Sequence, residues 1–142
     1  MFIYAEGIDG PERQQQALAI LERLPYDGTF LPVQALGELY NILVRKGRQS
    51  RADARLKILG WRDAFRLTET SVPIMLSAAD LTVDHQLMIW DAVILSAAAD
   101  AECRLLLYED LHDGFTWGGV SVAHPFTPNL HPLLEAALNP VG

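Results

Sequence analysis

The sequence predicts an α/β protein, a three-layer α/β/α sandwich around a central parallel sheet, and three observations carry that prediction. Short apolar runs alternate along the chain with longer stretches whose apolar residues recur at helical spacing. One of those runs, Leu105-Leu106-Leu107-Tyr108, is apolar throughout, the pattern of a strand covered on both faces. No repeat, low-complexity tract or long linker divides the 142 residues, so a single domain over positions 1–142 is expected. Strands separated by helices favour parallel pairing, with working groups gathered beyond the carboxyl ends of the strands.

Taken in order, Phe2 to Ala5 reads as a first buried strand. Gly7-Ile8-Asp9-Gly10-Pro11 then leads into a helix, with Pro11 in its first turn and Asp9 or Gly10 near its cap. Ala17, Leu18, Leu21 and Leu24 mark its buried face, and Pro25 to Gly28 ends it before a short strand at Thr29-Phe30-Leu31. Leu36, Leu39, Tyr40 and Leu43 line a second helix that closes on Arg45 and Lys46, with Gly47 placed for a left-handed cap. Arg51 to Phe65 reads as an arginine-rich helix with Leu56, Ile58 and Leu59 interleaved. Pro73 opens another, through Met75, Ala78 and Ala79 to Val83. Trp90, Val93, Ile94, Ala97, Ala98 and Ala101 form one stripe of the next helix. The leucine strand follows, then a turn at Gly118-Gly119, a strand at Val120-Ser121-Val122 and a terminal helix over 130–138.

Half of the residues are apolar and 20% are charged, enough to build a core. A single cysteine excludes an internal disulfide framework and a cysteine-rich zinc site. No charged-then-apolar leader opens the chain, and no apolar run approaches the ~20 residues needed to cross a bilayer. A soluble cytoplasmic protein without a membrane partner is therefore expected. The net charge of −7 opposes nucleic acid in bulk, but its distribution reverses that tendency locally. Eight of the eleven basic residues lie between Arg45 and Arg66, opposed there only by Asp53 and Asp63, so this stretch carries +6 and the remainder −13.

Acidic residues stand where an α/β sheet collects its chemistry. Glu38 lies early in the second helix, Asp91 in the first turn of the Trp90 helix, and Glu109-Asp110 directly after the leucine strand, with Asp113 three residues on. Carboxylates brought together raise one another's pKa unless a cation neutralises them, and hard ions such as Mg²⁺ or Mn²⁺ prefer such oxygen ligands. A magnesium site needs one or two direct carboxylates, and it activates water for phosphodiester cleavage. The same residues also have an ordinary reading: the helix dipole alone favours Asp91, and Glu38 suits a solvated helical position. The basic stretch divides likewise. Arg48, Arg51, Arg55 and Arg62 suit RNA phosphates beside an acidic site, and equally the solvated face of a helix.

The string Trp90-Asp91-Ala92-Val93-Ile94-Leu95-Ser96-Ala97-Ala98, followed by Leu105-Leu106-Leu107-Tyr108-Glu109-Asp110-Leu111, resembles the second half of a PIN domain. Pro32-Val33-Gln34-Ala35-Leu36-Gly37-Glu38-Leu39 is similar to the segment that brings the family's glutamate. Val120-Ser121-Val122 and Ala123-His124-Pro125-Phe126 are similar to its last strand and the proline-phenylalanine after it. Within the family the likeness is to VapC-type toxins of bacterial toxin–antitoxin pairs. The resemblance implies an endoribonuclease dependent on Mg²⁺ or Mn²⁺, dimeric, and held inactive by a cognate antitoxin. Carried over position by position, Glu38, Asp91 and Asp110 match three acidic residues of the family's metal site, with Asp113 as an outer member. Metal-bound water would then attack RNA in line.

Two departures stand out. The family's first strand begins with an aspartate that has no counterpart before Met1-Phe2-Ile3-Tyr4-Ala5, and Glu6 and Asp9 are poor substitutes beyond that apolar run. A start a few codons upstream is the favoured explanation. The alternative is a shortened, inactive member that binds an antitoxin or RNA without cutting. Secondly, Tyr108 stands where a small hydroxyl residue often precedes the Glu-Asp pair. A receiver-like phosphorylation domain is disfavoured, because no acidic pair follows a first strand and no lysine follows Lys57. Cys103 reads as a small buried thiol, and His85, His112, His124 and His131 lack close metal-ligand spacing. Trp61, Trp90 and Trp117 read as core or interface anchors.

Overall fold

Ser71 ends an extended stretch and accepts a hydrogen bond from the backbone N–H of Ile74 at 3.3 Å, and a helix of 14 residues starts behind it at Val72. Ser50 caps a second helix in the same way, and the computed structural model of the chain describes residues 5–139. The helices are α1 (Pro11–Arg23), α2 (Val33–Arg45), α3 (Arg51–Ala64), α4 (Val72–His85), α5 (Ile89–Asp100) and α6 (Pro132–Leu138). The strands are β1 (Phe30–Pro32), β2 (Arg66–Thr68), β3 (Leu105–Leu107), β4 (Thr116–Trp117) and β5 (Val120–Ala123). The architecture is mixed α/β with a parallel strand pair, as expected. Of the first expected strand, Phe2 to Ala5, only Ala5 falls within the described residues, and it is not in a strand.

The chain divides into two compact units, residues 1–67 with 136–142, and residues 68–135. In the first unit β1 pairs with β2. α2 packs on α3 around Leu39, Leu43 and Ala54, with Trp61 and Ile58 against them. Ser50 caps α3 by accepting from the Asp53 amide at 3.0 Å. The expected left-handed cap at Gly47 falls one residue later, on Arg48 (φ 53°). Gly47 is required for space instead: a Cβ there would stand 2.7 Å from the Leu43 carbonyl oxygen. The helix expected to reach Phe65 stops at Ala64, and Phe65, buried and extended, stacks on Trp61 at 6.2 Å as the chain turns into β2.

In the second unit the sheet order is β3-β5-β4. β3 runs parallel to β5, with Leu105 opposite Ser121 and Leu107 opposite Ala123, and β4 pairs antiparallel with β5. Gly118 and Gly119, both at positive φ (59° and 80°), form the two-residue turn that reverses the chain between Trp117 and Val120. The leucine strand differs from expectation in burial. Its three residues are half-buried, because β3 sits at one edge of this sheet and pairs with β5 alone among the described strands. The full burial belongs to α5, where Ala92 through Ala98 are seven consecutive buried residues packed against α4, β3 and β5. Trp90 does not head that core: it is exposed, as are Met88 and Ile89 before it, because the buried stretch starts only at Ala92.

Candidate active site

Asp91 owes its position to the start of α5. The Met88 N-cap offers no side chain to the first-turn amides, so the anionic side chain in that turn meets the positive end of the helix dipole. The apolar residues from Ala92 onward then bury the helix and hold its N-terminal turn against the sheet. Tyr108, directly after β3, has its backbone N–H fixed by the Ala123 carbonyl at 3.2 Å. Its phenol donates to Asp91 Oδ1 at 2.6 Å. Oxygen-to-oxygen bonds to a carboxylate are short and charge-assisted, and this distance falls in that range. The strand end and the helix start are thereby joined through the carboxylate.

Asp110 follows two residues later on an exposed turn. That turn is braced beyond it. Asp113 Oδ1 accepts from the His124 backbone N–H at 2.8 Å, the His124 ring bonds the Leu111 carbonyl, and Leu111 is itself buried. Asp113 therefore secures the loop against the end of β5, with one carboxylate oxygen committed to an amide. Glu38 lies in the first unit, exposed on α2, where Gln34 one turn earlier donates to its Oε1 at 3.0 Å. Glu6 is engaged by α3, accepting from Trp61 Nε1 at 2.8 Å and pairing with Lys57 at 3.3 Å. Arg48, Arg51, Arg55 and Arg62 are all exposed.

Two members of this arrangement are not identified as site residues by the sequence. Gln34 is visible there as an i, i+4 partner of Glu38. The signal for Tyr108 is its hydroxyl, present at a position where a smaller hydroxyl residue is expected. The reach of a phenol across to the helix is a tertiary fact that no local pattern encodes.

By chemistry the oxygen donors suit a hard divalent cation. Among the described residues no group of three His, Cys, Asp or Glu side chains could hold a metal ion. Asp91 is the best prepared of them, half-buried, oriented by Tyr108 and stabilised by a helix N-terminus.

The family model for the PIN domain matches residues 1–112, from the chain start through Asp91, Asp110 and His112. The chain belongs to the PIN domain family. That membership agrees with the mixed α/β elements and parallel strand pair of the fold, and it brings a nuclease-type function in general terms. The match ends before β4, β5 and α6. A search among curated proteins finds no match. Among the described residues no helix is long and apolar enough to cross a membrane.

Proposed function

We propose that the chain is a metal-dependent endoribonuclease of the VapC type, the toxin of a type II toxin–antitoxin pair, acting on cytoplasmic RNA as a homodimer and silenced by its antitoxin. One observation carries the reading: in a PIN-family chain, the aspartate that opens the buried helix α5 is held at the end of β3 by a short hydrogen bond from Tyr108. Glu38, Asp91 and Asp110 are the residues that would hold Mg²⁺ or Mn²⁺, with Asp113, which braces the loop after Asp110, as an outer member. When bound, the ion would supply charge neutralisation at the phosphate and acidity for an attacking water.

The protein's own contribution is orientation. Tyr108 fixes one oxygen of Asp91, which limits the directions in which the other can act. Gln34 does the same for Glu38. Arg48 and Arg51, at the turn into α3 and in its first turn, offer exposed cations to RNA phosphates in a chain that is otherwise acidic. A second reading keeps the fold and discards the cutting: the chain binds RNA or an antitoxin only. Incubating a mixed RNA pool with the protein and Mn²⁺, with and without EDTA, separates the two. Cleavage that EDTA abolishes supports the nuclease, and intact RNA that is nevertheless retained by the protein supports the binding module.

A further inference from the structure

The end of α2 carries a cavity that the chemistry above does not use. It measures about 230 Å³ and is lined, among the described residues, by Asn41, Ile42, Arg45 and Lys46. These form two i, i+4 pairs, Asn41 with Arg45 and Ile42 with Lys46, so the four side chains share one face. Asn41, Arg45 and Lys46 are exposed and Ile42 is half-buried. The volume lies below the ~300–1,000 Å³ of clefts that take drug-sized ligands, so it suits one small polar group rather than a whole cofactor.

Cations at a helix end ordinarily serve its free carbonyls. Here the backbone fills that role: the Ile42 carbonyl accepts from the Lys46 and Gly47 amides at 2.8 and 3.1 Å, and the Leu43 carbonyl from the Gln49 amide at 3.0 Å. Among the described residues the side chains of Arg45 and Lys46 have no hydrogen bond and no ion pair. Residues 41–52 hold Arg45, Lys46, Arg48 and Arg51 and no carboxylate. Neighbouring cations repel each other, and an anion seated between them relieves that repulsion while accepting charge-assisted hydrogen bonds. Asn41 adds an uncharged amide donor. Three donors, one of them a guanidinium fork, suit the three terminal oxygens of a phosphate ester better than the two of a carboxylate.

We infer that the end of α2 is a subsite for a phosphate group. Two sources supply such a group, an RNA strand and a free mononucleotide, and placement favours the strand. Glu38 lies on the same helix seven residues before Arg45, hence on the same face and about 10 Å away along the axis. A strand that reaches Glu38 and keeps a neighbouring phosphate in this cavity is fixed in register along α2. The subsite rests on the RNA-directed part of the reading above and on none of its metal chemistry.

Residue-resolved NMR titration of the full chain without metal tests it, with inorganic phosphate, uridine monophosphate and a short oligouridylate with hydroxyl ends added in turn. Saturable shifts at Asn41, Arg45 and Lys46 are expected. The variant R45Q/K46Q is expected to weaken binding about tenfold or more, because hydrogen bonds to charged groups are lost. The variant R104Q, which removes an exposed cation from the other unit, is expected to bind as the wild type does. Circular dichroism of each variant checks that it is folded. An oligouridylate that binds more tightly than the mononucleotide, and loses that advantage in R45Q/K46Q, assigns the subsite to the RNA strand. A mononucleotide that binds more tightly than the oligouridylate assigns it to a free ligand. No saturable binding by any of the three, or binding that R45Q/K46Q leaves unchanged, overturns the subsite. Mn²⁺-dependent cleavage of the RNA pool, measured in parallel, separates this inference from the nuclease reading. Cleavage with no phosphate bound at α2 overturns the subsite alone, and binding there without cleavage upholds the subsite and overturns the nuclease.

Discussion

Replacing Tyr108 with Phe removes one hydroxyl from the second unit and leaves the ring where it is. The lost bond is the 2.6 Å contact to Asp91 Oδ1. Hydrogen bonds to charged groups contribute about 1.5–3 kcal/mol when shielded. Asp91 is only half-buried, so water takes up part of the loss and about 1 kcal/mol of destabilisation is expected. A double-mutant cycle with Asp91→Ala isolates this interaction from other effects of the two side chains. Urea unfolding of the wild type, Tyr108→Phe, Asp91→Ala and the double variant is expected to give a coupling of about 1 kcal/mol, so that removing the hydroxyl costs little once the carboxylate is gone. Additive losses, with a coupling below about 0.3 kcal/mol, would refute the claim that Tyr108 acts through Asp91.

Three further outcomes follow from the packing. Leu95 is fully buried at the centre of the α5 cluster, so Leu95→Ala is expected to cost about 3–5 kcal/mol, read as a melting temperature lower by roughly 10 °C. Gly47→Ala sets a methyl 2.7 Å from the Leu43 carbonyl and 2.9 Å from Ile8 Cδ1, and a loss of about 1–3 kcal/mol is expected in chemical denaturation; an unchanged midpoint would contradict the close approach. Burial pushes the Cys103 thiol up, so its alkylation by iodoacetamide is expected to be slow in the folded protein at pH 8 and to accelerate in urea. Because the folded state disfavours the thiolate, the same group takes stability away as pH rises through the ordinary thiol range and is without effect below it.

The parts of the fold readable in sequence are those fixed by local signals. Gly10 and Pro11 mark the start of α1, and the Gly118-Gly119 pair marks the β4–β5 turn, because each imposes a backbone conformation by itself. The helical spacings locate α1 to α5 within a few residues. The two strands that the sequence does not announce, β2 and β4, are three and two residues long, too short for alternation to register. The exposure of Trp90 is hidden as well. A stripe identifies the apolar residues of a helix, but α5 is buried nearly all round, so periodicity carries no information about which end of it meets solvent. At the site, Asp91 and Asp110 are legible as acidic residues beside a helix start and a strand end. The bond from Tyr108 is not, because it joins residues 17 apart through a strand register set elsewhere, at Ala123.

Asp91 is proposed to serve phosphodiester cleavage in this PIN-family chain. Its most direct test is the rate of Mn²⁺-dependent cleavage of a mixed RNA pool by the wild type and by Asp91→Asn, with matched circular dichroism spectra to show equal folding. The wild type is expected to cleave and the variant to lose about a hundredfold or more in rate, since a charge-stabilising carboxylate is removed while its shape remains. Cleavage of equal rate by both proteins would contradict the role of Asp91, and no cleavage by the wild type would contradict the nuclease.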